Sequence, residues 1–502
     1  MKLIRTLGLA VLPFLMWSAL VNAQTPFTAG KWTKVTNNPP DVVGHMLLLT
    51  DGSVLTINAS CNSTGVWYRL VPDSTGSYIH GKWVNGGTLP AGYNPLYFAS
   101  AVLPNGNVII MGGEYDGCNA VWSSKGAMYN SKTGHWTSVA APSGWSSVGD
   151  AQSVVLPNGR FMLANCCTTD EALGSISGVN VTWTPTGSGK SDINDEEGWT
   201  LLPNGNVLTV DAYVGSYNAT GTNSEIYNTA KGTWSSAGST KVQLWDSAAN
   251  CGGSGAASYE VGPAVLRPDG TVLATGANAC GTGHTAIYNS ITKTWTSGPN
   301  FASNQDIADG PATLLPDGNV LVNTSPGIFG TGDKFFEWDG AAFHTVPGPP
   351  NASIDSSYIG NMVVLPTGQI LFTDFSQDVE VYTPSGSPCT GCEPAITSVA
   401  STLTHGSTNN VISGTQFGGM SQGAAYGDDN QSASNYPLVR ITDSKGHVVY
   451  CKTHGFTYMG VQTGSKSISA EFDIPPGIGV GAGSLVVVTN GIPSAPVPVT
   501  IN

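Results

Sequence analysis

An apolar strand, a tight turn ending in glycine and a second apolar strand recur seven times along this chain, which limits the folds open to it more than any other feature. The turn glycines are Gly52, Gly106, Gly159, Gly205, Gly270, Gly318 and Gly368, spaced 46 to 65 residues apart. Leu103-Pro104-Asn105-Gly106-Asn107-Val108 shows the phrase in full, and Leu49-Thr50-Asp51-Gly52 and Leu365-Pro366-Thr367-Gly368 are close variants. Asn-Gly or Asp-Gly between apolar runs marks a hairpin, because the turn needs a positive φ that glycine adopts without steric cost. A lone hairpin cannot bury its apolar face, so the copies must stack on one another.

A period near 50 predicts an all-β fold, a seven-bladed kelch-type β-propeller. A second phrase supports it: a Tyr followed seven residues later by a Trp, at Tyr129 and Trp136, Tyr227 and Trp234, and Tyr288 and Trp295. These read as third and fourth strands of a blade, the Trp supplying apolar surface between neighbours. The seventh copy reaches Tyr382 and lacks its Trp strand, and Gly30–Val35, containing Trp32, is the candidate to complete it and close the ring. The repeat stops at the turn-rich stretch Thr383–Pro388, beyond which short β-rich runs read as an immunoglobulin-like β-sandwich. The expected organisation is a signal peptide over 1–23, the propeller over 24–388 and the sandwich over 389–502, with Gly418–Asn435 as a long loop.

Lys2 and Arg5, an apolar run from Leu7 to Leu20 and the small-residue site Val21-Asn22-Ala23 have the form of an export leader. Its removal takes two cations and no acid, moving the formal charge from −14 to −16. That charge argues against nucleic acid and anionic membrane surfaces as partners, and no later segment is long and apolar enough to span a bilayer. Nine cysteines suit an oxidising compartment. Cys251 with Cys280 and Cys389 with Cys392 are plausible pairs, whereas adjacent Cys166 and Cys167 need other partners or a vicinal bridge. The odd count leaves one thiol over, assigned to Cys451 as a small buried hydrophobe.

A leader, seven kelch-like hairpins and a C-terminal sandwich, in this order, resemble the galactose oxidase and glyoxal oxidase family of copper radical enzymes. The resemblance is most specific at Leu438-Val439-Arg440-Ile441, Thr453-His454 and Asn490-Gly491-Ile492-Pro493-Ser494. It implies one copper held by two Tyr and two His, one Tyr being cross-linked to a Cys. Counting back from the turn glycines, Tyr97 and Tyr358 fall at the two tyrosine positions, and His454 matches the histidine from the C-terminal domain. Ile359 stands where the family has its other His, and Val43 where it has the Cys. Isoleucine cannot coordinate copper and valine has no sulfur, so the family's alcohol or aldehyde oxidation lacks its cofactor here. Tyr97, Tyr358 and His454 are then a vestigial copper site, and a copper-dependent oxidase with a divergent site is the alternative.

The same register places Asp150, Glu196 and Asp309 at the channel rim, with Asp195, Glu197 and Glu260 one residue away. Like charges sharing a cavity raise one another's pKa or recruit a cation. The functional expectation is a hard cation such as calcium, or a network of sugar hydroxyls; the plainer one is solvated carboxylates at loop starts. Two motifs match by letter only. Gly187-Ser-Gly-Lys190-Ser imitates a phosphate loop without its strand-to-helix setting, and Gly419-Met-Ser-Gln-Gly423 imitates a hydrolase elbow without its parallel strand. The expected function is extracellular binding, without catalysis, of a glycan or cell-envelope polymer, Trp122 and Trp145 being candidates to stack on sugar rings. The sequence leaves the oligomeric state open.

Overall fold

The structure, a computed structural model, describes residues 27–213, 221–246, 258–277, 283–302 and 304–502. The leader and the Cys251 and Cys280 pairing lie outside them. Apart from two short 3-10 turns at Pro350–Ser353 and Ser357–Ile359, the regular elements are all strands, and no described helix is long and apolar enough to cross a membrane.

Each hairpin opens a four-stranded antiparallel sheet, giving seven blades. In five the first strands are Val43–Leu48, Ala99–Val102, Ser153–Val155, Thr200–Leu201 and Val261–Leu266; Pro311–Leu314 opens the sixth and Asn361–Val364 the seventh. The Tyr-to-Trp spacing is a cross-strand pair, Tyr129 facing Trp136, Tyr227 facing Trp234 and Tyr288 facing Trp295. The seventh blade makes the same pair from the two ends of the propeller segment. Lys31–Lys34 pairs antiparallel with Glu380–Thr383 and sets Trp32 opposite Tyr382.

Tryptophans on fourth strands also rivet five of the blades to the one before. The indole N–H of Trp136 donates to the Gly86 carbonyl, that of Trp183 to Ala140, and that of Trp234 to the Glu171 carboxylate. Trp295 donates to Ser224 Oγ and Trp32 to the Pro347 carbonyl. A buried indole needs such a partner, and an acceptor on the neighbouring blade fixes the angle between blades as well.

In the C-terminal sandwich, Val448–His454 pairs with Leu438–Thr442 through its first half and with Ile468–Asp473 through its second, bringing two sheets over a core that includes Ile412, Val439, Phe472 and Leu485. It docks on the hairpin turns: the backbone N–H groups of Thr453, Phe456 and Met459 donate to the carbonyls of Thr50, Pro104 and Pro157. Cys451 is free and buried, Cys389 pairs with Cys392, Cys166 with Cys167, and Cys61 with Cys118 across 57 residues.

The stretch 418–435 is not a long loop, which corrects the sequence reading. Gly423–Tyr426 and Gln431–Ala433 form a hairpin that leaves the sandwich, enters the channel and adds to the inner strand of the sixth blade, Tyr426 facing Pro311 and Ala424 facing Thr313. Asn490 clamps its base: the side-chain oxygen accepts from the Met420 and Ser421 N–H groups, and the amide donates to the Ser421 carbonyl and Ser434 Oγ. The Gly419–Gly423 motif is part of this clamp rather than a nucleophile elbow.

Candidate functional site

The inserted hairpin turns at Gly427-Asp428-Asp429-Asn430 and delivers two buried carboxylates to the channel mouth. A Cβ on Gly427 would collide with Asp309 Oδ1 and the Val261 carbonyl, so only glycine lets the tip come this close. Asp150, Glu196 and Asp309 meet the tip from the third, fourth and sixth blades, each at the same position ahead of its hairpin. Oxygen atoms of Asp150, Glu196 and Asp428 lie within 4.8 Å of one another.

The backbone at this register is strained. Tyr97, Glu196 and Asp309 have φ of 52°, 56° and 56°, a region that side chains of this size rarely enter. Strain repeated at equivalent positions of three blades, all around one cavity, points to a functional constraint.

Among the described residues no lysine or arginine reaches the cluster. Asp150 Oδ1, Glu196 Oε2, Glu260 Oε2, Asp309 Oδ1, Asp428 Oδ2 and Asp429 Oδ2 are buried without a hydrogen-bond donor. Ionised carboxylates only accept, so Glu196 facing Glu260 and Glu260 facing Asp309 can be joined only by shared protons or by a metal. Desolvation first, then mutual repulsion, pushes Asp150, Glu196, Asp309 and Asp429 well above the usual carboxylate range. Burial raises Glu260 to about 8, Glu114 to about 7 and Asp195 to about 6. An all-oxygen set of carboxylates is the donor chemistry of calcium, magnesium or manganese.

A cavity of about 510 Å³ opens onto Glu260 and Asp309, walled by Tyr97, Glu114, Tyr115 and Phe329. The Tyr97 ring lies 6.0 Å from that of Tyr426 and 6.1 Å from that of Tyr115. Tyr426 donates its hydroxyl to the Tyr358 carbonyl at 2.6 Å. Burial, with Asp309 adding to it, holds both the Tyr97 and Tyr426 phenols well above their ordinary pKa, so both stay protonated.

The expected grouping of Tyr97, Tyr358 and His454 is only half assembled. Tyr97 and Tyr358 share the cavity, but His454 is at the opposite end of the propeller. Its Cβ lies beside the Gly106 turn, and its ring contacts Asp473 at 3.2 Å and Glu471 at 3.5 Å. Seven residues of extended chain, roughly 20 Å, separate that turn from Tyr97. Cys118 lines the same cavity as Tyr97 but is bonded to Cys61, and Val43 occupies the position of the family's cysteine. His45 is buried against Ser100 and Asn361, and desolvation lowers it to about 3. A copper radical centre does not fit this donor set.

Glu197, expected beside the rim, faces away from it. Its carboxylate and that of Glu225 each meet Lys190 Nζ at 2.8 Å, deep in the fourth blade. Lys190 thereby serves as an internal counter-ion, buried against two carboxylates rather than offered to a ligand at the Gly-Ser-Gly-Lys-Ser turn. Asp428 and Asp429 were outside the sequence reading, although Gly427-Asp428-Asp429-Asn430 after Ala424-Ala425-Tyr426 is a turn signal.

No family model matches the sequence, and no curated protein matches it either. Among solved structures, the chain is similar to a fungal copper-bound alcohol oxidase, at 14% identity and a TM-score of 0.51, over 95% of this chain and all of that one. It is also similar to virginiamycin B lyase from Staphylococcus aureus, at 9% identity and a TM-score of 0.46, over 70% of this chain and 98% of that one. The first of these likenesses is one of fold alone.

Proposed function

We propose that this chain is an exported, non-catalytic propeller protein, leader 1–23, propeller 24–388 and sandwich 389–502, that uses a hard divalent cation at its channel mouth to bind an extracellular glycan or cell-envelope polymer. The observation that carries this reading is the set of buried carboxylate oxygens from separate blades and the inserted hairpin that have no donor among the described residues. Burying such charges unpaired costs several kcal/mol each, and a divalent cation with calcium's six to eight oxygen ligands offsets that cost directly. Asp150, Glu196 and Asp428 would hold the cation, and Asp309 and Glu260 would face the cavity where sugar hydroxyls could complete the shell or accept hydrogen bonds. Tyr97, Tyr115 and Phe329 supply apolar walls for a sugar ring. The three disulfides are consistent with an oxidising, extracytoplasmic location.

Copper-dependent oxidation of alcohols, after the copper-bound alcohol oxidase named for the fungal structure, is the weaker reading, because among the described residues no imidazole and no free cysteine lines the Tyr97 cavity. A glycan array probed with the metal-stripped chain, with and without added calcium, tests the proposal. Binding that appears only with calcium supports it. Calcium-independent binding, or peroxide release on primary alcohols by a copper-loaded sample, would refute it.

A further inference from the structure

We infer that the ligand is a chain-form neutral polysaccharide that runs from the acid-lined cavity across the loop 114–122 into a second groove floored by Asp116 and Lys125 and flanked by Trp122. This deepens the glycan reading above and rests on it for the first subsite only.

The second groove, about 730 Å³, lies on the other side of that loop from the first cavity. Tyr115 and Cys118 face the first cavity, whereas Asp116, Asn119 and Trp122 face the second. One loop is therefore a shared wall. It is held rigidly: Cys118 is bonded to Cys61 of the first blade, Glu114 N–H donates to the Tyr97 carbonyl, and Val121 N–H donates to the Glu114 carbonyl.

The second groove combines an apolar plate with paired polar groups, the chemistry a pyranose ring requires. Trp122 is 55% exposed, unusual for so large an apolar side chain, and its φ of 42° is a strained backbone held open by the loop. Lys125 Nζ meets Asp116 Oδ2 at 2.7 Å, and Asp116 also accepts from the Asn94 N–H at 2.7 Å. Asn94 lines the groove as well, and its side-chain amide donates to the Ser60 carbonyl at 3.4 Å. Trp122 also packs against Gly149, the residue before Asp150, so groove and acid cluster adjoin.

Charge selects the class of polymer. The chain as a whole carries a formal charge of −14, so an anionic polymer is repelled, while neutral sugar hydroxyls can donate to carboxylates. Two linked subsites convert the second contact into an intramolecular one, and affinity climbs with chain length.

The test is calorimetric titration of the full mature chain, with calcium, using β-1,4-mannan, β-1,4-galactan and β-1,4-xylan oligosaccharides from disaccharide to hexasaccharide. We expect at least one series to gain about tenfold or more in affinity from disaccharide to hexasaccharide. Trp122→Ala should remove that gain, and Trp122→Phe should restore part of it. Equal affinity at all lengths, or a gain that survives Trp122→Ala, overturns the two-subsite inference, as does failure of all three series to bind. A parallel calcium titration separates the two claims. If calcium binds and no length effect exists, the inference fails alone; if the length effect holds in calcium-free buffer, the cation reading fails alone.

Discussion

One peptide bond divides two buried acid clusters that solve the same electrostatic problem differently. Glu196 joins Asp150 and Asp428 at the channel mouth, while Glu197, whose side chain points the other way, joins Glu225 and Lys190 inside the fourth blade. The inner cluster carries its own cation. Desolvation opposes the charge on Lys190, but Glu197, Asp211 and Glu225 outweigh it and hold the ammonium above its ordinary pKa. Thr209 Oγ1 donates to Glu197 at 3.1 Å and the Ser191 N–H donates to Glu225 at 3.1 Å, so these two acids are served by donors from the chain, while Asp211 Oδ1 beside them is buried without one. At the mouth no lysine or arginine reaches the acids among the described residues, and a cavity opens onto them instead. Burial of acids alone therefore does not mark a site: the inner group surrounds a lysine, whereas the outer group has no cationic side chain beside it among the described residues and adjoins a cavity through Glu260 and Asp309.

The sharpest way to break this comparison is to remove the internal cation. Lys190→Met leaves Glu197 and Glu225 buried without a counter-ion and should cost about 3–5 kcal/mol, read as a lower midpoint in urea unfolding; an unchanged midpoint would show that the inner acids are protonated and need no lysine. The outer cluster should respond to added metal instead. Calcium at about a hundredfold excess over its Kd should stabilise the metal-free chain by about 2.7 kcal/mol, and the gain should vanish in Glu196→Gln/Asp428→Asn while persisting in any variant confined to the sandwich.

The pH dependence sharpens the contrast further. The outer acids have folded pKa values above their unfolded ones, so the metal-free native state binds the extra protons, and stability is greatest below about pH 4, the unfolded value. It should fall as pH rises through the folded values, about 6 for Asp195, about 7 for Glu114 and about 8 for Glu260. Calcium needs the ionised form, so its stabilising effect on the melting temperature should be small near pH 5 and larger near pH 8. A calcium effect that shrinks with rising pH would contradict the assignment. The smallest expected effect comes from Asp309→Asn, which removes one repelling charge at a position where positive φ suits asparagine. It should raise metal-free stability near pH 8 by roughly 1 kcal/mol, the worth of about one pKa unit; no gain would mean Asp309 is already paired.

The propeller was legible because its signals are local and repeated. Gly106 and its six counterparts demand a turn chemistry that few residues supply, and the Tyr and Trp phrase left Tyr382 unpaired until Trp32 was counted. The rim acids Asp150, Glu196 and Asp309 were legible for the same reason, since register from the glycine transfers between blades. The channel hairpin was not. Gly423–Tyr426 is a strand because the sixth blade's inner edge and Asn490 hold it, neither of which is near it in sequence, so Asp428 and Asp429 were missed. His454 was misplaced because order along a related chain says nothing of which end of the propeller a strand reaches. The Cys61 to Cys118 bond joins loops of adjacent blades, a closeness that only the closed ring creates.

On this reading the channel-mouth carboxylates are completed by a cation from outside the chain. Calorimetric titration of calcium into the metal-stripped full chain near pH 7 tests it most directly. A single saturable site that is lost in Glu196→Gln/Asp428→Asn is the predicted result; absence of binding heat together with an unchanged melting temperature for the untreated and calcium-treated protein would contradict it.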